Sequence, residues 1–189
     1  IRQSGTSLVR IINDVLDLSK LQAAKFDLAR EPFSVVDCVA RAVDLLRPSA
    51  QKKGLALSLH LPEDMPLHLG DAGRLRQILL NLLGNAVKFT TRGEVSATLS
   101  CVGDGKTDQV RIAITDTGIG IAPDRVGQVF DSFAQADASI SRKFGGTGLG
   151  LTISRLIAQQ MQGDIQVESV LGTGSTFTLV LRLPRANRE

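Results

Sequence analysis

The sequence is poor in the side chains that most often mark nucleic-acid binding and metal binding. It has no tryptophan or tyrosine, and its net charge of +3 comes from dispersed basic residues, so no nucleic-acid partner is expected. Its two cysteines, Cys38 and Cys101, form no CxxC pair and have no histidine near them in sequence. This spacing argues against a disulfide framework and a metal cluster, and it is consistent with a cytoplasmic compartment.

Long apolar runs are also absent. No stretch is long enough to span a membrane, and residues 1–4 do not resemble a signal peptide. The chain begins with isoleucine, which suggests that it is cut from a longer protein, and a membrane anchor elsewhere in that parent is compatible with this sequence. A length of 189 residues with 43% hydrophobic content is enough for one packed domain with an appendage.

Two glycine clusters, at residues 116–121 and 145–151, are the most informative feature that is present. Apolar residues alternate up to Asp116, which predicts a strand that ends with this carboxylate. Residues after the second cluster follow helical spacing, so its amides are expected at a helix N-terminus, where anions bind. Either cluster alone is also consistent with an ordinary turn.

A polar stripe interrupts the apolar pattern of the helix predicted after Asp71. Asn81, Asn85 and Lys88 are spaced by four and three residues, which places them on one face. The carboxamide of Asn85 suits a magnesium ion that keeps several waters, and Lys88 suits a phosphate. An ordinary solvated face is the alternative.

The remaining pattern predicts α+β architecture, a two-layer sandwich with a mixed sheet backed by helices. A wide apolar stripe at 6–21 predicts a long N-terminal helix that needs a partner. Ser34 and Asp71 are expected to cap helices, and residues 95–101 and 110–114 to form a hairpin. Gly163 is expected to end the helix after the second cluster, before a final strand pair around 172–174.

Four segments together resemble the ATP-binding domain of sensor histidine kinases. Residues 77–90, 116–121, 130–133 and 145–151 are similar, in order, to the N, G1, F and G2 boxes of that family. The family belongs to an ATPase superfamily shared with DNA gyrase, heat-shock chaperones and MutL. The resemblance implies ATP and Mg²⁺ as ligands and a mobile ATP lid over about 122–144.

The resemblance also implies roles for individual residues. Asp116 would accept a hydrogen bond from the adenine amino group, with Thr176 nearby through water, and Asn85 would hold magnesium. Lys88 and Arg142 would contact the phosphates, and Phe130 and Phe133 would anchor the lid. The complete predicted ATP site comprises Asn81, Asn85, Lys88, Phe89, Asp116, Gly118, Gly120, Ile121, Arg142, Gly146, Thr147, Gly148, Leu149, Gly150 and Thr176.

Asn81 separates the branches of this superfamily. The hydrolases have a glutamate one helical turn before the magnesium asparagine, where it activates water as a general base. An amide in that position cannot take a proton from water usefully. The resemblance therefore implies transfer of the phosphoryl group to another acceptor instead of rapid hydrolysis.

The expected phosphoacceptor histidine is missing from this sequence. Kinases of this family phosphorylate a histidine on the first helix of a dimerisation hairpin, whereas His60 and His68 lack that helical, acidic context and are expected to be structural or surface residues. Residues 1–25 resemble the second helix of the hairpin, and 26–189 the catalytic and ATP-binding domain. The implied partners are the same kinase's phosphotransfer hairpin and a response regulator receiver.

The parent protein is expected to be a homodimer and this chain a monomer or weak dimer. A nucleotide-responsive binding module that has lost phosphotransfer is the second functional hypothesis. A gyrase-like ATPase is a third, and Asn81 disfavours it.

Overall fold

The computed structural model describes residue 19 and residues 27–103, 105–131 and 148–186. Its helices and strands within these residues are, in chain order, β1 (Glu31–Phe33), α1 (Val35–Lys52), β2 (Ala56–His60), β3 (His68–Gly70), α2 (Ala72–Phe89), β4 (Glu94–Gly103), β5 (Thr107–Asp116), α3 (Pro123–Val126), α4 (Gly150–Gln160), β6 (Asp164–Val170) and β7 (Gly174–Pro184). The predicted N-terminal helix, the division at residue 25 and most of the lid lie outside the described residues. No helix in the described part is long and apolar enough to cross a membrane.

Five strands form one mixed sheet in the order β2-β4-β5-β7-β6. β2 runs parallel to β4, and the other neighbours are antiparallel. The predicted hairpin is β4–β5, with Val95 opposite Asp116, and the predicted final pair is β6–β7. These pairings confirm the α+β class and place Asp116 on a central strand.

The hydrophobic core lies between one face of this sheet and helices α1, α2 and α4. On β5, Val110, Ile112 and Ile114 point into the core at 1% exposure or less, while the residues between them face away. This alternation is expected of a sheet that is covered on one side only. The predicted two-layer arrangement is therefore confirmed.

Both predicted helix caps are present. The Ser34 side chain accepts a hydrogen bond from the Asp37 amide at 3.1 Å, and Asp71 accepts one from the Arg74 amide at 2.9 Å. Each cap satisfies one amide that the first helical turn leaves without a partner. Pro48 does not end α1, which continues to Lys52.

Two local features differ from the sequence-based expectation. α4 ends at Gln160, and the residue in the left-handed region is Gln162, with φ 59°, instead of Gly163. Gly163 serves close packing, because a Cβ there would lie 2.0 Å from the Val180 carbonyl oxygen. The small sheet of β1 and β3 was not predicted, since three-residue strands carry almost no periodic signal.

Candidate ATP site at the end of β5

Asp116 lies where β5 leaves the sheet, and only 7% of it is exposed. Its carboxylate accepts a hydrogen bond from the Gly118 amide at 2.8 Å. Burial raises the pKa of Asp116, while hydrogen bonds with the Gly118 and Ser175 backbones partly oppose that shift. A carboxylate that is buried without a cationic partner is well suited to accept a further hydrogen bond from a neutral ligand.

The loop of residues 117–121 is docked against its neighbours through its glycines. A Cβ on Gly118 would lie 2.6 Å from the Phe89 carbonyl oxygen, and one on Gly120 would lie 2.1 Å from that of Val170. Gly120 also has φ 67°, which side chains disfavour. At these two positions, then, glycine permits close approach to the protein's own backbone.

Hydrogen bonds fix the other side of this loop to the β6–β7 turn. The Ile121 amide donates to Ser169 Oγ at 2.8 Å, and the Gly172 amide donates to the Ile119 carbonyl at 2.8 Å. Ser169 Oγ also lies 2.8 Å from Ser175 Oγ. The amide of Ile121, a predicted ATP contact, is therefore used inside the protein.

The structure does not bring Thr176 to Asp116. Ser175 is the residue paired with Asp116, and it shares the core face of the sheet with it. The Thr176 hydroxyl lies on the opposite face, 2.9 Å from the Thr115 hydroxyl. The predicted water-mediated contact of Thr176 with the nucleotide stays a prediction, and the residue on the face of Asp116 is Ser175. The alternation of Phe177, Leu179 and Leu181 into the core already contained that signal, since odd-numbered residues of β7 face inward.

Asn81 joins α2 to the start of α4. Its amide nitrogen donates to Ser154 Oγ at 2.9 Å, and a Cβ on Gly150 would lie 2.5 Å from its carbonyl oxygen. Ser154 is 2% exposed. The polar stripe on α2 therefore faces the N-terminal end of α4, and Asn81 makes the contact between the two helices.

The rest of the stripe runs towards the loop after β5. Asn85 is half-buried, and its side chain has no hydrogen-bond partner among the described residues. Lys88 is also half-buried, with its Nζ 4.8 Å from the ring centroid of Phe89. The Phe89 carbonyl in turn accepts from the Ile119 amide at 3.4 Å. One face of α2 therefore extends from α4 to the Asp116 loop.

Lys53, which sequence reasoning missed, holds the C-terminal end of α2. Its ammonium group donates to the carbonyls of Val87, Lys88 and Thr90 at 2.7, 2.9 and 3.2 Å. A cation in this position satisfies carbonyls that the last helical turn leaves free and interacts favourably with the helix dipole. It fixes the backbone that carries Lys88 and Phe89. A single lysine after a helix carries no recognisable sequence signal.

The start of α4 contains the described part of the second glycine cluster. Gly148 has φ 71°, the buried Leu149 is the cap residue, and the helix begins at Gly150. The Leu149 side chain makes no capping hydrogen bond, and the first turn has no acidic residue. The predicted helix N-terminus is therefore present. Gly146, Thr147 and Arg142 lie outside the described residues, so their predicted contacts stay predictions.

Phe130 connects the segment after α3 to the sheet and to α4. Its ring packs edge-on against Phe177 with centroids 6.4 Å apart, and Arg155 lies over it at 4.7 Å. Thr152 also donates to the Phe130 carbonyl at 2.9 Å. These contacts fit the predicted anchoring role of Phe130, while Phe133 lies outside the described residues.

Comparison with known proteins assigns the family. Residues 70–185 match the model of the histidine kinase-, DNA gyrase B-, and HSP90-like ATPases. This chain belongs to that ATPase family. The matched range includes α2, the Asp116 loop, α4 and the β6–β7 turn, which are the elements that build the site described above.

Sensor and histidine kinases match this chain over nearly its full length. The chain is 44% identical to the sensor protein GacS of Pseudomonas syringae pv. syringae and covers 21% of it. It is also 44% identical to the histidine-protein kinase BarA of Escherichia coli K12, with 97% of the chain and 20% of BarA aligned. The crystal structure of full-length ShkA in complex with AMPPNP matches 99% of the chain, with TM-score 0.87 and 37% identity, and the match covers 38% of ShkA. The chain thus spans about a fifth of the length of these curated relatives.

Proposed function

We propose that this chain is the ATP-binding, catalytic part of a protein histidine kinase in a two-component system. It binds Mg-ATP and donates the γ-phosphoryl group to a histidine on a dimerisation hairpin. The observation that carries the proposal is the buried Asp116 at one end of the α2 polar stripe, with the N-terminus of α4 at the other end. The AMPPNP bound by the similar ShkA supports a nucleotide ligand.

Asp116 recognises the adenine. Its carboxylate is held by backbone amides and has no cationic side-chain partner among the described residues, so it accepts a hydrogen bond from the exocyclic amino group. The Gly118 backbone sets the orientation of the carboxylate. Ser175, on the same face, takes the neighbouring polar position that the sequence had assigned to Thr176.

The α2 stripe and the α4 terminus bind the triphosphate. The carboxamide of Asn85 has no partner among the described residues and is a hard oxygen donor, so it fits a magnesium ion that takes its other ligands from phosphate and water. When bound, magnesium would neutralise charge on the phosphates. Lys88 adds positive charge, and the amides at the start of α4 donate hydrogen bonds to the anion.

Phosphoryl transfer uses an acceptor that this chain does not supply. An imidazole nitrogen of the hairpin histidine attacks the γ-phosphorus, the bond to the bridging oxygen breaks, ADP leaves, and the imidazole loses its proton. His68 is fully buried against Asp108 and cannot play this part, and His60 lies at the end of a strand. Asn81, tied to Ser154, provides no general base for water.

Transfer to a separate hairpin tests the proposal. The chain is incubated with γ-labelled ATP and Mg²⁺, with and without a hairpin that contains the acceptor histidine from a similar kinase such as BarA. We expect acid-labile label on the hairpin and none on the chain alone. Stable phosphohistidine on the chain alone would contradict the assignment of an absent acceptor.

Two variants separate this proposal from its alternatives. Asn85→Ala should reduce transfer and the magnesium dependence of ATP binding, while Asp44→Asn, on the exposed side of α1, serves as a control. Tight ATP binding without transfer to any hairpin would favour a nucleotide-responsive module. Steady-state hydrolysis that depends on Asn81 would favour a gyrase-like ATPase.

A further inference from the structure

A second cluster of chemically capable side chains lies at the other end of β5. His68 on β3, Cys101 on β4 and Asp108 on β5 place one potential ligand atom each within 4.8 Å of one another. Residues 108 and 116 are eight positions apart on one strand, so this cluster lies about 26 Å from the proposed adenine contact. The chain has only two cysteines and two histidines, and one of each is in this cluster.

The cluster contains buried polar atoms without partners. His68 and Asp108 are both 0% exposed, and His68 Nε2 lies 2.9 Å from Asp108 Oδ2. The other atoms, His68 Nδ1 and Asp108 Oδ1, are buried with no hydrogen-bond partner among the described residues. Leaving a carboxylate oxygen such as Asp108 Oδ1 unpaired is costly, so a ligand on it would be stabilising. An ion shared with Asp108 would take His68 Nε2, the ring nitrogen that faces this carboxylate, in place of the present hydrogen bond.

The sequence makes room for this arrangement. A Cβ on Gly103, which is paired with Asp108, would lie 1.9 Å from Asp108 Oδ1. Arg185 donates to the other oxygen, Oδ2, at 2.7 Å and so balances the charge of the carboxylate. One carboxylate oxygen is therefore held by Arg185 and His68, and the second lies against the backbone at residue 103.

We infer that His68, Cys101 and Asp108 form a binding site for a divalent cation of the zinc type. Thiolate, imidazole and carboxylate are the three ligand classes that zinc takes in proteins, and three protein ligands leave a fourth position for water. Zinc-ligand distances of about 2.0 to 2.3 Å in a tetrahedron place ligand atoms about 3.3 to 3.6 Å apart. A separation of 4.8 Å would have to shorten by about 1.2 to 1.5 Å to reach that size, and the 2.9 Å separation of His68 Nε2 and Asp108 Oδ2 would have to lengthen slightly.

The position of Cys101 supplies the entry route. It is half-buried, so the thiol is partly accessible and a cation can reach the cluster at that edge of the sheet. Binding replaces the thiol proton by the metal, and the proton is released to solvent. The bound ion would link β3 to β4 and β5 and so stabilise the end of the sheet that lies away from ATP.

Metal titration of the full chain tests this inference. Calorimetry with zinc in nucleotide-free, chelator-free buffer should give one site of micromolar affinity or tighter, and zinc should raise Tm. Cobalt, as a spectroscopic substitute, should show thiolate-to-metal charge transfer and the intense visible bands of tetrahedral coordination. No binding at micromolar zinc, or a cobalt complex without the thiolate band, would overturn the inference.

The chain contains its own matched controls. Cys101→Ser should weaken zinc binding at least tenfold and abolish the thiolate band, and because this side chain is half-buried the variant should still fold. Cys38→Ala and His60→Ala remove the other cysteine and the other histidine and should leave binding unchanged. Zinc affinity that is equal in Cys101→Ser and the parent chain would place the ion elsewhere and refute the site.

Discussion

Asp108 and Asp116 stand at opposite ends of one strand, on the same core-facing side, and both are at least 93% buried. Their environments nevertheless shift their pKa values in opposite directions. A hydrogen bond from Arg185, followed by one with His68, lowers the pKa of Asp108 against the effect of burial. At Asp116 burial dominates and raises the pKa, because only backbone groups oppose it.

The difference shows how one residue type serves two purposes on one strand. The first carboxylate has charged and titratable side chains around it and therefore contributes to the fold. The second has no cationic side chain among its described neighbours and so remains available to an outside donor. Burial of the Asp116 carboxylate without a cationic partner lowers folding stability, as is common where a polar group serves a ligand.

Removing the charge of Asp108 should have the largest effect on stability. Asp108→Asn leaves Arg185 and His68 without their anion, and we expect a loss of about 3 kcal/mol in the free energy of unfolding, typical of a broken buried pair. Urea denaturation at pH 7 measures it. Asp44→Asn breaks the exposed Asp44–Arg47 pair and should cost less than about 1 kcal/mol. Equal costs for the two variants would contradict the structural role of Asp108.

Asp116→Asn should show the reverse pattern. The amide presents a donor where the adenine needs an acceptor, so Mg-ATP affinity should fall by about 2 kcal/mol, or roughly 30-fold. The free energy of unfolding should not fall, because an unpaired buried charge is removed. Calorimetric ATP titration and urea denaturation give the two readouts. Asp108→Asn, measured under conditions where it is folded, is the reciprocal control, and its ATP affinity should be unchanged.

The two aspartates should also respond oppositely to acid. An unfolded aspartate titrates near pH 3.9. The folded pKa of Asp108 is lower, so its stabilisation is present above that pH and is lost as the pH falls through the folded value. The folded pKa of Asp116 is higher, so its ionised form is destabilising and the penalty disappears as the pH falls through the folded value.

Urea denaturation of Asp108→Asn and Asp116→Asn at a series of acidic pH values measures how each aspartate contributes to the free energy of unfolding. The deficit of Asp108→Asn relative to the parent chain should shrink as the pH falls below about 4. The advantage of Asp116→Asn should also shrink as the pH falls, but it should begin to do so above about pH 4, because the raised pKa of Asp116 means that its carboxylate is protonated first. Parallel curves for the two variants would show that the two environments do not differ as described.

Much of this contrast could be predicted from the sequence, and the rest depends on long-range pairing. The alternation of apolar residues up to Asp116 and the polar stripe on α2 predicted two parts of the site, the end of β5 and one face of α2. Both could be predicted because they are local periodicities. The meeting of His68, Cys101 and Asp108 was not predicted, because β3 meets the large sheet through packing on β7 and a bridge between His68 and Arg185, which are far apart in sequence. The argument against a metal cluster used the lack of a CxxC pair and of a histidine near either cysteine, and it therefore considered only neighbours in sequence.

Two helical glycines test how closely the ligand end is packed. A Cβ on Gly150 would meet Asn81 Oδ1 at 2.5 Å, whereas one on Gly84 has nothing within 4 Å. Gly150→Ala should therefore cost about 1 to 2 kcal/mol, and Asn81→Ala in the same chain should relieve it. Gly84→Ala should stabilise by about 0.5 to 1 kcal/mol, as alanine does in an open helix position. Urea denaturation of these variants measures their free energies of unfolding. If Gly150→Ala were stabilising, the Asn81 side chain would have to move aside without cost.

The smallest effect is expected at Thr176, and it tests which face of the sheet meets ATP. Thr176→Val removes only the exposed hydroxyl pair with Thr115, so ATP affinity should change less than twofold and stability by less than about 0.5 kcal/mol. Ser175→Ala removes the hydroxyl that lies between Ser169 and the core face beside Asp116, and it should weaken ATP several-fold. Both are measured by the same calorimetric titration. If Thr176→Val weakened ATP more than Ser175→Ala, nucleotide recognition would extend to the open face, and Asp116 would not be the polar end of the site.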